Sequence, residues 1–151
     1  MEGTMSVLDS LQVQYEIRIR SAHRTPDETR AYIEDSITRG CEVFIAAAGM
    51  AAHLAGAVAA HTTRPVIGVP VDASPLQGMD ALLATVQMPP GIPVATVAIG
   101  KAGARNAGYL AAQILALSDP ELAERVKQDR AASAKKVLER DRLLQESRNS
   151  G

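Results

Sequence analysis

The fold turns on one stretch, Cys41-Glu42-Val43-Phe44-Ile45-Ala46-Ala47-Ala48-Gly49-Met50-Ala51-Ala52-His53-Leu54-Ala55-Gly56-Ala57-Val58-Ala59-Ala60. From Val43 onward it is almost uncharged and long enough to raise the question of a membrane span. It divides instead into two unlike halves. Cys41 to Ala47 is a short apolar run of the kind a fully buried parallel strand carries. Ala48-Gly49-Met50 makes a turn, and an Ala-rich helix follows to about Thr62, interrupted by the polar His53. A strand, a turn and a helix inside a folded core account for it better than a bilayer.

The same unit recurs downstream. Arg64-Pro65 ends the helix, Val66 to Val69 forms another apolar strand, and Pro70 to Gly78 is a loop before a helix at about Met79–Val86. A Pro- and Gly-rich turn spans Gln87 to Pro93. Val94 to Ile99 is a further strand, and Gly100-Lys101-Ala102-Gly103 loops into a helix at about Ala104–Leu117. Strands separated by helices require a parallel sheet with right-handed crossovers, an α/β fold of three layers, doubly wound in the flavodoxin manner.

Upstream, Val13, Tyr15, Ile17 and Ile19 alternate with Gln14, Glu16, Arg18 and Arg20, the period of a strand with one buried face. Ser21-Ala22-His23-Arg24-Thr25-Pro26 follows. Thr25 is placed to cap a helix, Pro26 suits its first position, and Glu28 completes a capping box. That helix runs to about Arg39, with Ala31, Ile33 and Ile37 facing inward and Gly40 closing it. His23 and Arg24 thus fall between a strand's carboxyl end and a helix N-terminus, where open α/β sheets bind ligands and backbone dipoles favour an anion. Before this unit, Met5, Leu8 and Leu11 mark a helix from Met1 to about Leu11.

Asp119-Pro120 opens a last helix to about Gln145, highly charged, with sparse apolar positions at Leu122, Val126, Val137 and Leu138. It is expected to project from the domain and pack on neighbouring subunits. Residues 1–118 therefore read as the α/β domain and 119–151 as a C-terminal helix and tail.

Composition narrows the function. With 151 residues, 46% of them hydrophobic, the chain suits one globular domain. Aromatic residues make up only 3%, so the core must close through Ala and Gly. A formal net charge of −1 offers no basic excess for nucleic acid or an anionic membrane. The single cysteine, Cys41, reads as a structural thiol, and with no secretory signal the expected location is the cytoplasm. His23, His53 and His61 lack metal-ligand spacing with any Cys or acid cluster, so no metal is expected.

Four stretches now stand in order: Ser21–Pro26, Ala46–Gly56, Pro65–Pro70 and Val86–Ala104. In this order and spacing the chain, over about Val7 to Leu117, closely resembles the bacterial N5-carboxyaminoimidazole ribonucleotide mutases of purine biosynthesis. The resemblance implies an isomerase that moves a carboxyl group from the exocyclic nitrogen of an aminoimidazole ribonucleotide to ring carbon C4 by way of CO2. It implies His23 as the proton shuttle, with Ser21 and Arg24 holding the substrate, Arg24 on its phosphate side. Gly49, His53 and Leu54 would enclose the carboxyl group. Related aminoimidazole ribonucleotide carboxylases usually carry lysine where Arg24 stands, which favours the mutase branch. No cofactor is implied, and the assembly implied is a homo-octamer.

The chemistry suits these residue types independently. Histidine can take and return a proton near neutral pH, and arginine can grip phosphate through parallel charge-assisted bonds. A Gly-containing loop allows the close backbone approach that keeps water from CO2. One departure from the family pattern leaves an alternative open. Its members begin with a strand and a Gly-Ser-x-Ser-Asp turn that contacts the ribose phosphate, and neither occurs here. That strand would lie between the next two, so its absence implies backbone groups without partners. The alternative is an impaired or inactive nucleotide-binding or scaffold paralogue. A receiver-like signalling domain fits poorly, because it needs an acidic cluster where this corner offers histidine and arginine.

Overall fold

The structure, a computed structural model, describes residues 1–149; Ser150 and Gly151, the end of the expected C-terminal tail, lie outside the described residues. Three parallel strands form its sheet: β1 (Phe44–Gly49), β2 (Val66–Val71) and β3 (Ala95–Thr96), in the order β1-β2-β3. Helices α1 (Glu2–Ser10), α2 (Pro26–Thr38), α3 (Leu54–Ala60), α4 (Met79–Val86), α5 (Gly100–Leu115) and α6 (Pro120–Asn149) surround it. No helix among the described residues is long and apolar enough to cross a membrane.

The pleat sorts the strand residues between two cores. Phe44 and Ala46 of β1 and Val66 of β2 pack with Ile33 of α2 and with Ala55 and Val58 of α3. Ile45, Ala47, Ile67 and Val69 turn to the opposite face and meet Ala104, Ala107 and Ala111 of α5. This is the three-layer arrangement expected from apolar strands alternating with helices. Small residues let the layers close. The Gly68 Cα lies so near Thr85 of α4 and Val94 that an added β-carbon would collide with both. Outside α5, Val7 and Leu11 of the α1 region and Leu122 of α6 form a third cluster with Ala112. Thr4 Oγ1 donates to the Ala104 carbonyl at 2.6 Å, and Arg125 Nε to the Leu11 carbonyl at 2.9 Å.

Several boundaries differ from the sequence reading for local reasons. The loop expected at Gly100–Gly103 is the first turn of α5. The strand expected at Val94–Ile99 pairs only at Ala95 and Thr96, with one further bond from Val97 N to the Gly68 carbonyl. Helix α3 begins at Leu54, leaving Met50 to His53 as a loop. Thr25 is the N-cap residue of α2, but its hydroxyl turns back to the Ser21 carbonyl instead of capping, so the Thr25–Glu28 box does not form. The other end of α2 is as expected: with Gly40 at φ +92°, Gly40 N bonds the Ile37 carbonyl and Cys41 N that of Ser36, a Schellman closure.

The largest difference concerns Val13–Arg20, which was read as a strand with a buried apolar face. Among the described residues it pairs with no strand, and beyond Val13, which packs on the α1–α5 cluster, its apolar side chains face solvent. Ile17 is 54% and Ile19 94% exposed, while Glu16 and Arg20 turn toward α2. Glu16 forms a two-pronged ion pair with Arg39, and the Arg20 guanidinium lies 5.1 Å from the centre of the Tyr32 ring. The physical reason is the lack of a neighbouring strand among the described residues. Without one the segment gains no ladder bonds and no apolar wall, so its charged side chains dominate its contacts.

Two outcomes are expected. A β-carbon on Gly103 would run into the Ala98 carbonyl oxygen, which the β3–α5 turn holds in place. Gly103→Ala should therefore cost about 3 kcal/mol in urea unfolding, whereas Gly56→Ala, which meets only the flexible Met88 side chain at 3.4 Å, should cost far less. The second concerns acid. The hydrogen bond from Arg39 lowers the Glu16 carboxyl to about 2 from its ordinary 4.5. Because this pKa is depressed in the folded chain, the tie acts in full above about pH 4.5 and is lost as pH falls toward 2. Arg39→Gln should remove this part of the acid response, and salt should weaken it because the pair is partly solvated.

Candidate active site at the carboxyl edge of the sheet

The turn that carries His23 is closed by its own hydroxyls. Thr25 N donates to the Ser21 carbonyl at 2.9 Å, Ser21 N donates to Thr25 Oγ1 at 3.1 Å, and Arg24 N donates to Ser21 Oγ at 3.1 Å. Thr29 Oγ1 adds a bond to the Thr25 carbonyl at 2.7 Å, anchoring the turn to the first coils of α2. With the backbone tied inward, the His23 and Arg24 side chains project to solvent. Among the described residues the Arg24 guanidinium has no hydrogen-bond or ion-pair partner, which leaves its donors available to an anion. Ser21 accepts from Arg24 N and keeps its own hydroxyl proton to donate.

The loop after β1 supplies the second wall. Met50 adopts φ +55°, a left-handed conformation that a side chain bears at some cost, and Ala52 N closes a tight turn to the Met50 carbonyl at 2.9 Å. Ala52 is buried and Leu54 packs against the core of α2 and α3, so the backbone on both sides of His53 is anchored. The His53 ring meets that of His23, their centroids 5.2 Å apart and their planes at 85°. Two side chains thirty positions apart in the chain thus face each other. Neither ring makes a hydrogen bond or ion pair with a carboxylate among the described residues.

The loops after β2 and β3 reach the same edge. At Gly49 a β-carbon would stand 3.2 Å from Ala73 Cβ and 3.2 Å from the Val71 carbonyl oxygen, so the Gly49 loop and the chain leaving β2 lie against each other. At Gly100 it would stand 3.6 Å from an Asp72 carboxylate oxygen, and at Gly78 it would collide with Ile99. Ser74 Oγ donates to Asp80 Oδ1 at 2.9 Å and accepts from Leu76 N at 3.2 Å, bracing this loop. In sequence Pro70–Gly78 reads as a plain connection, and nothing in that reading singles out Asp72. The available signal was an acidic residue immediately after an apolar strand, at the edge where the other motifs gather.

Other residues singled out earlier lie elsewhere. His61 is an exposed C-cap of α3. Cys41 is half-buried just before β1, and that burial raises its thiol pKa, in keeping with a structural thiol. A cleft of about 600 Å³ between the Val13–Arg20 segment and α2 is lined by Glu16, Arg18, Arg20, Tyr32 and Arg39 among others, and by none of the site residues.

Comparison with known proteins identifies the family. A family model described as AIR carboxylase matches residues 1–136. The chain is 55% identical to an N5-carboxyaminoimidazole ribonucleotide mutase from Bacillus subtilis over 139 residues, which are 92% of this chain and 86% of that protein. A protein of the same name from Escherichia coli is 50% identical, with 92% and 82% covered. Among solved structures, PurE from Treponema denticola superposes with a TM-score of 0.82 at 30% identity, covering 93% of this chain and 86% of that one.

Proposed function

The chain belongs to the AIR carboxylase family, and from that premise we propose that it is an N5-carboxyaminoimidazole ribonucleotide mutase of purine biosynthesis. The observation that carries the reading is the combination of 55% identity to a protein of that name with the meeting of His23 and His53 at the sheet's carboxyl edge. Identity at this level across most of the chain does not favour the binding-only alternative.

In the proposed reaction the bond from the exocyclic nitrogen to the carboxyl carbon breaks, CO2 leaves, and the nitrogen takes up a proton. Ring carbon C4 then bonds the CO2 and gives up its own proton. Nothing is oxidised or reduced, and the protons gained and lost balance. His23 serves as the shuttle, since its side chain is exposed while the turn that carries it is closed by the bonds of Ser21, Arg24 and Thr25. Arg24 holds the phosphate with its free guanidinium, assisted by the Ser21 hydroxyl. Gly49, His53 and Leu54 enclose the carboxyl group, the loop's close approach limiting the water that would carry CO2 away.

Assembly belongs to the same proposal. Val137, Leu138, Leu143 and Leu144 are exposed on α6, whose described side chains from Ala131 to Arg148 are all exposed. Packing of this helix on other copies, in a cytoplasmic homo-octamer, would bury them. Residues 1–118 would then hold the chemistry and the remainder the assembly contacts.

The test is interconversion of the two carboxylated nucleotides by the purified protein, followed by absorbance, with subunit number from sedimentation. His23→Asn should lower kcat by roughly 10²–10⁴-fold while circular dichroism and sedimentation stay unchanged. Turnover by that variant at the parent rate would remove His23 from the mechanism.

A further inference from the structure

The two imidazoles at the site are mounted differently. His53 stands between buried Ala52 and core-packed Leu54, and its carbonyl accepts the first helical bond of α3 from Ala57 N at 2.9 Å. Its ring therefore starts from a rigid base. His23 lies on an exposed corner whose hydrogen bonds all involve backbone and hydroxyls of Ser21, Arg24, Thr25 and Thr29, and none reaches its ring. The His23 ring meets that of His53, at 5.2 Å and 85°, within the range that edge-to-face aromatic pairs prefer.

We infer that His53 is a positioning residue for His23, acting through the edge-on contact of its ring in addition to any bond it makes to substrate. This rests on the mutase reading for its kinetic part only. A proton shuttle must meet a carbon atom along a narrow approach, and a displacement of about 1 Å can cost two orders of magnitude in rate. A ring that holds the shuttle before substrate arrives spares the substrate that task. The contact needs an aromatic face or edge and no particular nitrogen, so a phenyl ring can replace it.

The experiment compares His53→Ala and His53→Phe in the protein of this sequence, using steady-state kinetics and the ring-proton resonances of His23 without substrate. Both variants lose any nitrogen bond to the substrate carboxyl, so KM should rise in both. In His53→Ala, kcat should fall about 10- to 100-fold, and the His23 ring protons should shift as the neighbouring ring's field disappears. In His53→Phe, most of the lost kcat should return and a ring-current shift at His23 should persist. Equal loss of kcat in both variants would overturn the proposal in favour of a hydrogen-bonding role alone. Unchanged His23 resonances in His53→Ala would overturn it whatever the activity. If the parent protein has no turnover, the mutase reading fails and the resonances alone decide the ring contact.

Discussion

The parallel pairing of Phe44–Gly49 with Val66–Val71 is the constraint from which the rest of the molecule follows. It runs in unbroken register from Phe44 against Val66 to Gly49 against Val71, and Ile67 within it is fully buried. Because both strands are covered on both faces, their side chains must be apolar and their covering helices must come close. Alanine on α5 and glycine at Gly68 and Gly103 permit that approach, which explains how a chain with so few aromatic residues closes its core. The same pairing ends β1 and β2 at one level, and so sets the Gly49 loop and the Asp72 loop side by side.

The site is an outcome of that edge combined with one separately folded corner. Hydroxyls of Ser21, Thr25 and Thr29 saturate the turn that bears His23, so the corner keeps its shape although the segment leading into it has no strand partner. Order at the corner is local, whereas order in Val13–Arg20 relies on side-chain ties to α2. Those ties are charged and partly solvated, hence weaker than ladder hydrogen bonds in a buried sheet. The division explains why Ile17 and Ile19 are exposed within sixteen residues of the buried Ile33.

The carbonyl at Ala98 and the loop at Met50 show where pattern reading misplaces boundaries. Gly100–Gly103 looked like a loop because glycine is a poor helix former, yet Gly103 lies inside α5 since only glycine fits beneath the Ala98 oxygen. The Ala-rich run after the Ala48–Met50 turn reads as helix from its start, yet the left-handed backbone at Met50 is followed by a loop that delays α3 to Leu54, where the His53 ring meets that of His23. In both cases tertiary contact overrode a local preference of well under the energy of a packed side chain.

By itself the sequence determined the parallel α/β class, since two apolar strands of buried length alternating with helices admit no other economical sheet. It also determined which residue types could do the chemistry, through the quoted motifs at Ser21–Pro26 and Ala46–Gly56. Only the tertiary structure decided that Thr25 turns to Ser21 instead of capping α2, that Ile17 and Ile19 face solvent, that Asp72 joins the site edge, and that the rings of His23 and His53 meet. The reason is range. Period and motif report interactions along the chain, but the partner of a strand edge, a hydroxyl or an imidazole is chosen by whatever distant segment packing brings within a few ångströms.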